Sequence, residues 1–238
     1  TNISSVRELV QAFPSARLIE GGRNRGIAYA LNRLASTALL EGKEWMLTLD
    51  QDSVAGDRMV ESLMRYANGL TRMVTPAIVD RNKRRPSKRD SQAEVEVEYF
   101  KQAARRGPLT SGSLMSLSAW RAVGGFDEGL FIDYVDYDFN QRLLLAGYSI
   151  ARVNKTQLLH EVGRAEETWL TLPRRTVSGR WELEHVYSFG HPPMRCYYKA
   201  RNRIIFTRKY FRFIGITHEG AFQIPAQIIL TLLFEGER

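Results

Sequence analysis

Only one cysteine, Cys196, occurs among the 238 residues, which excludes an intramolecular disulfide framework and any cysteine-rich zinc site. No apolar run approaches the ~20 residues that crossing a bilayer requires. A signal-peptide pattern is also missing from the start, as is an initiator methionine. Walker A and G-x-G-x-x-G patterns are absent, so the ordinary ATP and NAD fingerprints are excluded. The TSGSL segment at 110–114 does not form a serine nucleophile elbow. There is no internal repeat and no low-complexity tract. What remains is globular in composition, 44% hydrophobic and 25% charged, which excludes wholesale disorder. Lys and Arg total 34 against 26 Asp and Glu, a net charge of +8 that implies an affinity for something anionic. The length suits one large domain, or a domain with an appendage, and the simplest setting is a cytoplasmic, soluble body.

The first third alternates helix and strand signals. Ser4 to Phe13 carries Val6, Leu9, Val10 and Phe13 at helical spacing before Pro14. Ala16 to Ile19 reads as a short strand, and Ile27 to Leu40 as a helix with Ala28, Leu31, Leu34, Ala35 and Ala38 on its apolar stripe. Trp45 to Leu49 is an apolar run that ends in Asp50-Gln51-Asp52, a buried strand delivering acids to its C-terminal end. Val54 to Asn68 reads as helix and Met73 to Val79 as strand. Arg81 to Arg89 holds six basic residues in nine and reads as a solvated loop. Strand signals follow at Val95 to Phe100 and Leu109 to Leu117, a helix over Tyr134 to Ala146, and a returning strand at Tyr148 to Val153. The alternation predicts an α/β fold, a mostly parallel central sheet flanked by helices. Ligands of such sheets bind beyond the carboxyl ends of the strands, where the Asp50–Asp52 cluster falls.

Three acidic or imidazole clusters and one basic turn are candidates for chemistry. Asp50 and Asp52 at a strand end suit a hard divalent cation, Mg²⁺ or Mn²⁺, which would neutralise a phosphate leaving group; read blandly, they are two solvated turn acids. Asp133, Asp136 and Asp138 lie within six residues, with Arg142 four beyond Asp138. On a helix Asp138 and Arg142 are i, i+4 neighbours and can pair, while Asp136 points elsewhere and could serve as a general base. The bland alternative is a set of helix-start acids favoured by the macrodipole. His160, after Leu158-Leu159, could complete the metal shell begun by Asp52 or be a satisfied structural histidine. Arg23-Asn24-Arg25-Gly26 precedes a helix, where backbone N–H groups and arginines make an anion or nucleotide contact, or simply a capped turn.

In order along the chain, NRGIAYALN (24–32), WMLTLDQDS (45–53), TSGSLMSLSAWRAVGGFDEGLFIDYVDYDFNQRLLLAGYSI (110–150), LLHEVG (158–163) and YYKARNR (197–203) resemble the family 2 glycosyltransferases, in particular their bacterial rhamnosyltransferase branch. The resemblance spans roughly residues 1–205 and implies a GT-A, Rossmann-like nucleotide-diphospho-sugar transferase fold. It implies that Asp50 and Asp52 bind the metal and the donor diphosphate, that His160 joins the metal, and that Thr110, Ser111 and Gly112 line the sugar and acceptor cleft. The family's acidic motif is Glu-Asp-x-Asp with an Arg four residues on; aligned on Arg142 it puts the base at Asp136 and the supporting acid at Asp138. Val135 stands where the Glu is usual, and Asp133, three residues upstream of Asp136, is the second candidate for the base. The resemblance also implies that the base-binding strand, helix and strand with which the family opens lie before Thr1, so that the catalytic domain, 1–190, is N-terminally incomplete.

The expected activity is therefore an inverting, metal-dependent transfer of a sugar, L-rhamnose from dTDP-L-rhamnose, to a saccharide or polyprenyl-diphosphate-linked acceptor in cell-surface polysaccharide (O-antigen) synthesis. Residues 191–238 form a basic and aromatic extension. Between Arg195 and Arg212 there are seven basic residues, no acids and five aromatics. Arg195, Lys199 and Arg203 make an i, i+4, i+8 stripe, read either as a membrane-surface helix at the inner face of the cell membrane, with Phe222 to Phe234 helping to dock, or as a packing helix whose arginines reach water. Two rivals explain less. A nucleic-acid-binding module accounts for the charge but not for acids at strand ends, so no nucleic acid is expected as a partner. A sugar-nucleotide-dependent nucleotidyltransferase needs a Gly-rich nucleotide loop that is missing.

Overall fold

The computed structural model describes residues 3–80, 95–100, 108–160, 166–175, 181–214 and 223–235. The basic run at 81–89 and the EVG of the LLHEVG segment lie outside the described residues. The first helical spacing forms α1 (Ile3–Gln11), and the apolar stripe of the second forms α2 (Ile27–Leu40), which buries Ala28, Leu31 and Ala35. Ala16–Ile19, predicted as a strand, takes no strand pairing. Arg17 of this segment pairs with Glu41 at 2.7 Å.

The central sheet has six strands, β1 (Trp45–Leu47), β2 (Val54–Ala55), β3 (Thr71–Asp80), β4 (Val97–Phe100), β5 (Leu114–Ser116) and β6 (Ser149–His160). They run in the order β1-β5-β3-β6-β2, with β4 also on β6. The sheet is mixed: β3 and β6 pair in parallel along the longest register, and the other neighbours are antiparallel. The helix predicted over Val54–Asn68 is shortened to α3 (Met59–Met64). Its first residues become β2, because Val54 and Ala55 pair with Leu159 and Leu158 and Gly56 N–H donates to the Gln157 carbonyl at 3.2 Å. A ladder to a distant strand outweighs weak local helix propensity there.

Pro76 sits inside β3, and the register slips directly after it: Pro76 faces Val153, while Ala77 faces Gln157. A proline has no N–H for the ladder, and a bulge is where a strand tolerates it. The bulge keeps β6 running to its end at His160.

Side chains alternate across the sheet, so each strand feeds two cores. Met73, Met115 and Ile150 face α2, α4 (Leu117–Ala122) and α5 (Val135–Leu145), joined by Phe126, Phe139 and Leu143. Val74, Leu114, Val153 and Leu158 face Met59 and Leu63 of α3. The long helix α6 (Pro193–Ile214) seals the first core with Phe206 and Tyr210, both buried. Beyond the main sheet, β7 (Glu166–Arg175) and β8 (Trp181–Ser188) form an antiparallel pair, and α7 (Gln223–Phe234) meets it where the Trp169 and Phe234 rings approach to 5.7 Å.

Candidate active site

The segment after β1 is held open by the turn at Thr110–Ser113. Thr48 Oγ1 donates to the Thr110 carbonyl, Thr48 N–H to the Ser113 carbonyl at 3.1 Å, and Gly112 N–H to the Thr48 carbonyl at 2.7 Å. Gly112 has φ +76, and a Cβ there would lie 2.8 Å from Leu158 Cδ2, so glycine is what lets the turn close on the sheet. Ser111 Oγ accepts from Asp50 N–H at 3.1 Å and meets Ser53 Oγ at 2.8 Å. The β2–β6 pairing then brings the end of β6 beside the same loop: His160 Nδ1 lies 3.0 Å from Ser53 Oγ and 3.2 Å from Asp52 Oδ1.

Asp50, Asp52 and His160 each offer a ligand atom, all within 4.8 Å of one another. Asp52 Oδ1 is buried and accepts no hydrogen bond among the described residues. Burial pushes the Asp50 carboxyl up, the neighbouring Asp52 adds to this, and His160 and the Ser111 hydroxyl oppose it. Two crowded carboxylates and an imidazole, with one carboxylate oxygen unsatisfied, are a donor set that fits a divalent cation.

The second acidic cluster is divided by its surroundings. Asp138 is 1% exposed, and it accepts from Tyr210 OH at 2.7 Å, Lys209 Nζ at 2.6 Å and Arg142 Nε at 2.8 Å. The i, i+4 pair expected of Asp138 and Arg142 is present, but Arg142 also donates to the carbonyls of Val123 and Gly125 at 2.5 and 2.6 Å. Both Asp138 oxygens are thus taken by the protein, and Arg142 is held between Asp138 and two backbone carbonyls. Asp133 faces Arg195 at 3.4 Å. Asp136 is half-buried and has no ion pair among the described residues; Tyr137 N–H donates to its Oδ1 at 3.0 Å. Crowding by the protein pushes its carboxyl up to about 7, two backbone N–H groups resist, and the Asp133 and Asp50 charges add to the rise.

Residues 4–121 match the family described as Glycosyl transferase family 2. The chain belongs to that family. It is also similar to the dTDP-rhamnosyl transferase RfbF of Shigella flexneri, 26% identical over 218 residues that cover 86% of this chain and 67% of that protein. The α/β fold is accordingly the GT-A fold of the family, and the chain is a glycosyltransferase that uses a nucleotide-sugar donor.

At the basic turn of the transferase, Asn24 Oδ1 accepts from Gly26 N–H at 3.0 Å, and Arg25 stacks on Tyr29 while pairing with Glu128. Arg23 is exposed and makes no ion pair among the described residues. The N-terminus of α2 is not wholly open to an anion, since Ile27 N–H donates to the Phe131 carbonyl at 2.8 Å. Ser111, expected against the sugar, braces the Asp50–Ser53 loop, and Thr110 and Gly112 shape that brace. Arg203, expected on an outward cationic stripe, is 2% exposed and donates to Tyr134 OH at 2.7 Å; Arg208 and Arg212 of α6 are exposed. Reasoning from sequence missed Lys209, Tyr210 and Asn202. All three lie between Arg195 and Arg212, where the mixture of aromatic and cationic residues was the one available signal.

Proposed function

We propose that this glycosyltransferase moves L-rhamnose from dTDP-L-rhamnose to a hydroxyl of a saccharide or polyprenyl-diphosphate-linked acceptor, by inverting single displacement, in bacterial cell-surface polysaccharide assembly. The observation that carries the chemistry is the placement of Asp136 in the first turn of α5, without an ion pair among the described residues and near enough to Asp50 to feel its charge. The activity for which the Shigella flexneri relative is named supports the donor.

In this reading Asp136 accepts the proton of the acceptor hydroxyl as that oxygen attacks the anomeric carbon. A carboxylate with a pKa near the working pH is a stronger base than an ordinary aspartate and is still about half ionised. Asp133 stays paired with Arg195 and keeps negative charge beside Asp136. Asp50, Asp52 and His160 would hold a divalent cation, Mg²⁺ or Mn²⁺, which neutralises the departing diphosphate when bound. Ser111 and Ser53 fix the loop that carries these ligands. Arg23, exposed beside the α2 N-terminus, supplies a positive contact for the donor, with Asn24 and Gly26 setting the turn. We place the enzyme at the inner face of the membrane, supported by the outward basic residues of α6 and the exposed apolar side chains of α7.

The deciding experiment is calorimetric titration with dTDP, UDP and GDP, with and without Mn²⁺, on the wild type, Asp52→Ala and Asp136→Asn, together with transfer assays. Expected is Mn²⁺-dependent binding that prefers dTDP, is lost in Asp52→Ala and survives in Asp136→Asn, where turnover falls by roughly 10²–10⁴-fold. Preference for UDP or GDP discards rhamnose, binding indifferent to Mn²⁺ removes the metal, and retained turnover in Asp136→Asn moves the base to Asp133.

A further inference from the structure

We propose that Asn202, on the face of α6 that also carries Arg195 and Tyr198, is a positioning residue that holds the arch Leu130–Tyr134 in the shape that aims Asp136; the role of Asp136 as base rests on the function proposed above. Phe131, Asp133 and Tyr134 have φ of 60°, 60° and 65°. None is glycine, so each sits in a left-handed conformation that persists only where the surroundings over-determine it. The arch leads directly into α5: Asp138 N–H donates to the Tyr134 carbonyl at 2.9 Å, so its shape sets where the first turn of that helix, and Asp136 with it, points.

Asn202 is wholly buried, and the two N–H donors of its Nδ2 are shared among three arch carbonyls, Leu130 at 2.6 Å, Ile132 at 2.8 Å and Asp133 at 3.0 Å. The orientation of the amide is fixed chemically. Arg201 donates to Asn202 Oδ1 at 3.0 Å and to the Gly129 carbonyl at 2.9 Å, so the amide oxygen must face the guanidinium and the nitrogen must face the arch. One turn toward the N-terminus of α6, the Tyr198 ring stacks on Phe131 at 4.8 Å, and Arg195 reaches Asp133 at 3.4 Å. Residues 195, 198 and 202 share one helical face. From the opposite side the α2 N-terminus closes on the arch through Ile27 N–H and the Phe131 carbonyl. Three arch carbonyls converge on this one buried amide, which makes Asn202 the centre of the grip.

The test compares wild type, Asn202→Ala and Arg195→Gln, with transfer measured using whichever nucleotide sugar the wild type turns over. Asn202→Ala is expected to lose about 10²-fold in kcat, the effect of a misplacement on the order of 1 Å. Its Mn²⁺-dependent nucleotide binding and donor KM should stay within about twofold of wild type. Hydrogen exchange should rise at least tenfold in the 130–138 peptide and stay unchanged in 48–55. Unchanged exchange at 130–138 overturns the proposal whether or not the chain turns over a sugar. So does equal loss of kcat and nucleotide binding, which is the mark of general unfolding. Should Asn202→Ala fail to fold, the half-buried Arg195→Gln decides: loosened exchange at 130–138 with a fall in kcat near tenfold sustains the grip, and wild-type values for both end it.

Discussion

Three aspartates within six positions meet three different environments, and the environment decides what each can do. Among the described residues, Asp138 is saturated by a hydroxyl, an ammonium and a guanidinium, Asp133 faces a guanidinium, and Asp136 has backbone N–H groups to steady its charge. The consequence is a pH dependence of known sign. A carboxyl raised to about 7 holds its proton below that value, and a base must be unprotonated. The log of kcat/KM for transfer is therefore expected to fall with unit slope as pH drops below about 7, where an ordinary aspartate would give a limb near 4. A pH–rate profile checks this, and a limb near 4 would point to a solvated base. At this scale the i, i+4 spacing made the Asp138–Arg142 pair readable from sequence. Lys209 and Tyr210 were not readable, because they arrive from a helix some 71 residues away. Arg203 was misread for the same reason: a stripe on a helical wheel shows which residues share a face, not what that face meets.

Helices α2 and α5 and the strand into Asp50 were legible because periodicity and a closing glycine or acid are local signals. The elements that complete the site are not local. β2 exists because β6 offers it an edge, and His160 reaches Asp52 only through that pairing. The parallel β3–β6 register, with its slip after Pro76, could not be inferred from either strand alone. The contact between α2 and the arch yields a prediction at this scale. Gly26 has φ +89, and a Cβ built on it lies 2.4 Å from the Phe131 carbonyl oxygen, a backbone atom that cannot simply rotate away. Gly26→Ala is expected to destabilise the fold by about 1–3 kcal/mol, the cost of a forced backbone conformation, and to reduce transfer by displacing the arch. Urea denaturation beside a transfer assay checks it; unchanged stability would mean that the α2–arch contact is loose in solution.

On the scale of the whole molecule, β7, β8 and α7 carry several of the exposed apolar side chains. Trp169, Leu183 and Leu232 are 77%, 73% and 77% exposed, and all belong to the β7–β8 pair or to α7. No helix among the described residues is long and apolar enough to cross a membrane. Docking at a surface therefore needs side chains that dip in and charges that hold. Leu232→Glu with Leu233→Glu, and separately Arg208→Glu with Arg212→Glu, are expected to cut co-sedimentation with phosphatidylglycerol vesicles by tenfold or more, at about 1 kcal/mol per basic residue near an anionic surface. Binding indifferent to both pairs would remove the membrane contact. Deleting 195–238 would be a poor substitute, since it strips Phe206 and Tyr210 from the main core. That same placement of α6 has a consequence for biosynthesis. Asn202 closes on carbonyls 69 to 72 residues earlier in the chain, while every member of the Asp50, Asp52 and His160 cluster leaves the ribosome well before it. Synthesis runs from the N-terminus, so a nascent chain acquires the proposed cation ligands first, and last the helix that closes both the main core and the arch preceding the proposed base.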